Sequence, residues 1–230
     1  MNARRRRLVA GAIVLLISLI ALMVHPDNYR PAAPSQDANI KVPEGAVLAM
    51  TALEQLEVKG RAAKTGYDRD QFGDGWALKG GCDMRNIILA RDMTNIVVED
   101  CEVQVGILDD PYTGNEIHFV RGPSTSADVQ IDHVVALSNA WQTGAAYWEY
   151  DTRVELANDP LELLAVDGDA NQQKSDGDAA TWLPSNKPFR CQYIARQIAV
   201  KIKYELWVTN AERDAMVRIL EACPAQTLPN

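Results

Sequence analysis

The chain has 230 residues, with 23 Lys and Arg against 31 Asp and Glu, for a formal net charge of −8. Four of the positive charges are Arg4 to Arg7, so the rest of the chain carries −12. That balance excludes a protein that grips nucleic acid by bulk charge, but not one that neutralises a phosphate locally.

Arg4 to Arg7 precede an unbroken apolar run from Leu8 to Val24. Basic residues before such a run hold the N-terminus in the cytoplasm and send the following chain across the membrane. Roughly 17 apolar residues lie at the lower limit for a spanning helix and are long for a signal-peptide core. An uncleaved anchor over 1–24 is therefore favoured over a removed signal. Residues 25–43 form a Pro/Ala/Ser/Asp linker, with His25 at its edge. About 190 residues remain, enough for one domain with a real core, expected over 44–230. The chain is thus expected outside the cytoplasm, tethered or secreted. Nothing in the sequence sets its oligomeric state.

Ala46 to Val58 reads as a short amphipathic helix, and Lys64 to Trp76, rich in Gly, Asp and aromatics, as a loop. Ile96 to Leu108 reads as a strand, with Glu116 to Val120 as its hairpin partner across Asp109 to Gly114. Val129 to Val135 is a further strand, passing into a helical turn at Leu137 to Trp141. Leu161 to Val166 is the next strand, after which Asp169 is placed to N-cap a short helix through Ser175. Ile194, Ile198, Ile202 and Leu206 form one helical stripe. Thr209 and Glu212 read as the capping box of a second helix ending before Pro224. His118 falls in the hairpin strand and reads as structural. Trp141, Tyr147, Trp148 and Trp182 read as core more than as base-stacking platforms.

Four cysteines in an exported chain point to disulfides. Cys82–Cys101 and Cys191–Cys223 are the expected pairs, each bracketing one local unit. Two antiparallel helices joined by a short turn bring Cys191 and Cys223 together. A tetrathiolate zinc site is the competitor, without any C-x-x-C spacing to support it.

The chemistry gathers at Asp132 and His133. Successive strand side chains point to opposite sides, so one can hold a metal while the other faces a scissile phosphate. A neutral imidazole takes a proton from the attacking water, and one divalent cation stabilises the developing charge. Asn171 offers an amide oxygen to a hard cation alongside Asp132. Lys174, three residues on, shares its helix face and contacts a phosphate or steadies a carboxylate. Arg69 and Arg85 are candidates for holding a phosphate.

Three stretches in this order, IDHVVAL (131–137), NDPLELLAV (158–166) and NQQKSD (171–176), resemble the HNH endonuclease superfamily. More narrowly, the chain resembles the GmrSD-type C-terminal HNH domain of exported actinobacterial proteins. The likeness extends through YDRDQFGDGW (67–76), GCDMRN (81–86), DPYTG (110–114) and ATWLP (180–184). It implies an α+β fold around a ββα-metal (His-Me finger) core, with an added hairpin and a C-terminal helical pair. It implies His133 as general base, with Asp132 and Asn171 as ligands of one divalent cation, Mg2+ ahead of Mn2+. The middle Asn of the family, which orients the base loop, has no direct match. Either Asn158 fills its place or Glu162 replaces it with an acceptor-only group.

The function expected is metal-dependent endonuclease activity, on DNA ahead of RNA. The alternative is a weak or inactive extracellular metal-binding or interaction module that keeps the fold. A calcium loop starting Asp167-x-Asp169-x-Asn171 is a weaker rival, since Gln172 and Asp178 stand where Gly and Glu belong. A serine or cysteine hydrolase lacks a nucleophile elbow beside His133.

Overall fold

A computed structural model describes residues 43–229. The expected anchor over 1–24 and the linker up to residue 42, His25 included, lie outside the described residues. What is described is a mixed α+β fold of seven α-helices and three small antiparallel sheets.

The first helix, α1 (Ala49–Leu53), is far shorter than expected over Ala46–Val58; Leu56 is buried beyond its end. Two short strands, β1 (Leu78–Lys79) and β2 (Cys82–Asp83), then lead into α2 (Met84–Asp92), a helix the sequence did not announce. Asp83 N-caps it by accepting from the Asn86 amide at 2.8 Å. The segment Ile96–Leu108, read as one strand, is two. β3 (Thr94–Glu99) and β4 (Glu102–Asp109) fold back at Asp100 and Cys101, which take φ of 46° and 71°. β5 (Glu116–Val120) pairs with β4 as expected.

The turn between β4 and β5 is locked in place. Asp110 accepts from the Thr113 amide at 2.6 Å and from the Asp167 amide at 2.8 Å. Gly114, with φ of 79°, closes the turn through a 2.8 Å bond to the Asp110 carbonyl. This places Tyr112, fully buried, beneath the strands that follow.

Those strands are β6 (Val129–His133) and β7 (Leu163–Asp167), antiparallel with His133 opposite Leu163 and Asp132 opposite Leu164. Their connection carries α3 (Leu137–Gln142) and α4 (Tyr150–Ala157), the latter also unannounced. The pair is a wall between two cores. Val129, Ile131, Leu163 and Ala165 face α2 and the β3–β5 sheet, whereas Leu164 and Val166 face the helical core. Each such fully buried aliphatic side chain contributes roughly 1.5–3 kcal/mol. Arg91 and Asp92 at the end of α2 seal the β7 edge: Arg91 donates to the Leu163 carbonyl at 2.7 Å and Asp92 accepts from the Ala165 amide at 2.8 Å.

After β7 comes α5 (Gly168–Lys174). Its N-cap is Asp167, accepting from the Ala170 amide at 2.8 Å, and not Asp169 as expected. The calcium-loop reading fails with it, because Asp167 to Asn171 is the start of a helix, with Asp167 committed to the cap. The last two helices are α6 (Arg190–Lys203) and α7 (Asn210–Leu220). Ile194 and Ile198 are buried along the expected stripe and Ile202 partly so, whereas Leu206, though buried, lies beyond the helix end; both bonds of the Thr209–Glu212 capping box are present. Cys82–Cys101 and Cys191–Cys223 are both formed, so all four cysteines are accounted for and the zinc reading is overturned. Closing loops of 19 and 32 residues lowers the entropy of the unfolded chain. In the chain-entropy account that is about 3 and about 4 kcal/mol.

Candidate active site

His133 is the last residue of β6 and Ala157 the last of α4. A helix ends on carbonyls without intrahelical partners. The Ala157 carbonyl accepts from His133 Nε2 at 3.0 Å, which places the ring proton on Nε2 and leaves Nδ1 with a lone pair. Trp76 lies parallel to the imidazole, with centroids 5.8 Å apart and planes 8° off. Burial holds the His133 pKa down to about 3, helped by the positive charges of Arg69 and Lys174 and opposed by the Ala157 bond. The ring is therefore neutral across the physiological range.

Asp132 points to the other side of β6. One carboxylate oxygen accepts from Lys174 Nζ at 2.9 Å, and the other from the Tyr112 hydroxyl. Burial raises its pKa, against the pull of Lys174. Lys174 also donates to the His133 carbonyl at 2.8 Å. Its ammonium is buried, so of the two roles open to it, it steadies a carboxylate and does not face a phosphate. Asn171, one turn earlier on α5, donates to Gln130 Oε1 at 2.9 Å.

These groups border a cleft of about 750 Å³. Of the residues singled out in the sequence, it brings together Arg69, Arg85, Asp132, His133 and Asn171. Across the cleft Lys64 is paired with Asp176 at 3.0 Å. Asp132 is paired with Lys174, so its charge is also balanced. Arg69 and Arg85 make no ion pair among the described residues, and the cleft is locally cationic within an acidic chain. Arg85 is anchored by bonds of 3.0 Å to the Ser126 and Val129 carbonyls, whereas Arg69 is exposed and unanchored.

Asn158 and Glu162 lie outside the cleft, and their geometry separates their roles. Asn158 ends α4, donating to the Val154 carbonyl at 3.0 Å and accepting from the Ala77 amide at 2.8 Å, which fixes the neighbour of Trp76. Glu162 sits under the loop after the histidine. Its carboxyl accepts from the Val135 amide at 3.2 Å, and its backbone carbonyl accepts from the Val134 amide at 2.9 Å. Burial pushes its pKa well above its ordinary value, against the pull of the Val135 amide. Gln197 holds the same loop through the Val134 carbonyl at 2.7 Å.

Three contributors were missed in the sequence. Trp76 lay in a segment read as a plain loop, and Tyr112 in a segment read as a plain turn. Gln130 was legible only as a strand residue two before Asp132, hence on the same face.

The donor set was tested against a divalent cation. Among the described residues no three His, Cys, Asp or Glu side chains cluster as a metal site. Asp132 retains lone pairs beyond the two bonds it accepts, and Gln130, two residues before it on the same strand face, is bonded to Asn171 of α5. That set fits a hard, largely hydrated cation and not a zinc-type centre.

Residues 92–219 match the family model described as GmrSD restriction endonucleases, C-terminal domain. The chain is also 37% identical over 178 residues to an "Uncharacterized secreted protein" of the fungus Arthroderma benhamiae, covering 76% of this chain and 84% of that protein. The relative is fungal, not actinobacterial. No solved structure matches.

Proposed function

Because the chain belongs to the family of GmrSD restriction endonuclease C-terminal domains, we propose that it is an endonuclease whose general base is His133. One observation carries this reading: a neutral imidazole with its tautomer fixed by Ala157, opening on a cleft whose free charges are Arg69 and Arg85. In this reading β6, β7 and α5 are the ββα-metal unit, and the substrate is DNA ahead of RNA.

Arg69 and Arg85 hold the non-bridging oxygens of a phosphodiester. His133 Nδ1 takes the proton of a water aligned on the phosphorus, while Nε2 stays bonded to Ala157. An anionic phosphate beside the ring raises its basicity, which burial alone keeps low. Asp132 and the Asn171–Gln130 pair would hold a divalent cation, Mg2+ ahead of Mn2+, which would supply charge stabilisation at the leaving oxygen. Lys174 favours the ionised form of Asp132 against the burial that raises its pKa, and Glu162 and Gln197 fix the loop behind the base. The two disulfides and the secreted relative support a location outside the cytoplasm. Membrane tethering through 1–24 is part of the same proposal.

A second reading is a non-catalytic binding module that keeps the fold. The low basicity of His133 and the engagement of both Asp132 oxygens favour it. Plasmid DNA and RNA incubated with the exported region and Mg2+, Mn2+ or EDTA separate the two. Metal-dependent nicking that disappears in His133→Ala is the expected result. Absence of nicking with every metal leaves the binding module.

A further inference from the structure

The side chain of Arg69 has no anchor of its own, so its place in the cleft is set by the backbone that carries it. Arg69 opens a short 3-10 turn, Arg69–Phe72, and Trp76 lies just beyond that turn. Both Arg69 and Trp76 line the cleft beside His133. Between that turn and β1 the chain has no helix or strand of its own, so its course is fixed from outside.

The last turns of α4 supply the fixing. Arg153, Val154, Ala157 and Asn158 are three or four residues apart and share one helix face. Arg153 Nε donates to the Gln71 carbonyl at 2.9 Å, and a terminal nitrogen of the same guanidinium donates to the Gln71 side-chain oxygen at 3.2 Å. The backbone of Gly73 passes beside Val154. Asn158 holds the far end through the Ala77 amide, and Ala157 holds His133. One helix face therefore sets both the base and the segment that carries Arg69.

Arg153 is the unusual member of that face. It is 8% exposed and makes no ion pair among the described residues. Its guanidinium lies over the Trp141 ring, 5.6 Å from the centroid, and donates only to neutral oxygens, the Trp148 carbonyl among them. A buried charge without a counter-ion is costly, and packing alone does not require one. What the charge brings here is a planar fork that grips two oxygens of one residue, which no apolar side chain reproduces.

Resting on the nuclease reading for the phosphate, we propose that Arg153 is a positioning residue: it ties the Arg69–Phe72 turn to α4, so that Arg69 meets the scissile phosphate from the same helix that holds His133. Arg153 lies outside the cleft lining and acts only through Arg69.

The test is a double-mutant cycle on the full chain. It is read by anisotropy of a labelled oligonucleotide and by its cleavage, with melting temperature as the folding control. Arg153→Lys keeps the charge near Trp141 but loses the fork. Arg153→Gln removes the buried charge and is the second variant, expected to fold where a misplaced ammonium does not. Either variant is expected to weaken binding about fivefold, and by less than about twofold once Arg69→Ala is present. KM should rise more than kcat falls. Equal losses in the two backgrounds, in folded protein, would make Arg153 merely structural and overturn the proposal. Unchanged binding in a folded Arg153→Gln would overturn it as well. Coupled binding losses without nicking under any metal overturn the nuclease reading and leave the assignment of Arg153 standing.

Discussion

At the residue scale the site rests on two buried groups whose charge is set by their surroundings. His133 has an ordinary value of 6.5, held down to about 3 mainly by burial. If it is the base, kcat/KM for an oligonucleotide should stay flat from neutral pH to about 5, without the usual histidine limb near 6.5. A limb at 6.5 in the wild type would show that the ring is wetter than described. The stability sign follows from the same shift. The unfolded chain protonates this ring below 6.5 and the folded chain only near 3. Stability from burying the neutral ring is therefore full above 6.5 and is lost as pH falls towards 3. Glu162 runs the other way, its raised value making its contribution full at low pH and lost as pH rises through that value. Because burial favours its neutral form, Glu162→Gln should keep the bond to the Val135 amide and retain both stability and activity. Glu162→Ala leaves that amide unpaired and should destabilise by about 1–3 kcal/mol. Denaturant titration with turnover assays checks both, and equal damage from the two variants would assign Glu162 a charged role.

At the element scale, the positions of Asn171 and Lys174 depend on how α5 leaves β7. Asp167 caps the helix and is itself tied to Asp110 through its backbone amide. Gly168, the first helical residue, lies so close to the Ala127 carbonyl that a Cβ would collide with that oxygen. Backbone cannot yield as a flexible side chain does. Gly168→Ala should therefore shift the start of α5, costing roughly 1–3 kcal/mol as overpacking. Its activity loss should exceed what the stability loss explains, since Lys174 and Asn171 move with the helix. Melting curves and turnover measured below the transition distinguish that result from simple destabilisation.

For the whole molecule, charge is the deciding property. The acidic surface repels a polyanion, while Arg69 and Arg85 attract it only within the cleft. With about two phosphates neutralised, the slope of log K against log salt should be about −1.8 on a duplex and about −1.4 on a single strand. A protein gripping DNA along an extended basic face would show a far steeper slope. Anisotropy titrations of a labelled oligonucleotide at several salt concentrations would read the difference. A steep slope would mean that basic residues of the domain beyond Arg69 and Arg85 take part in binding.

Much was legible in the sequence because it was local. The stripe on α6, the Thr209–Glu212 cap, the β4–β5 hairpin and both cysteine pairs depend on residues close in the chain or at the ends of one unit. Asp132, His133 and Asn171 were visible because their residue types and apolar flanks are specific. α2 and α4 were not, since their faces are too polar to show a helical period; they form because Met84, Ile88, Leu89 and Leu156 find partners distant in the chain. The roles of Lys174, Asn158 and Glu162 were decided only in three dimensions. A side chain's function there depends on which unsatisfied backbone group or buried charge folding brings against it. That pairing of Asp132 with Lys174 and Tyr112, and of His133 with Ala157 and Trp76, is a property of packing across some 20 to 60 residues of chain that no local spacing encodes.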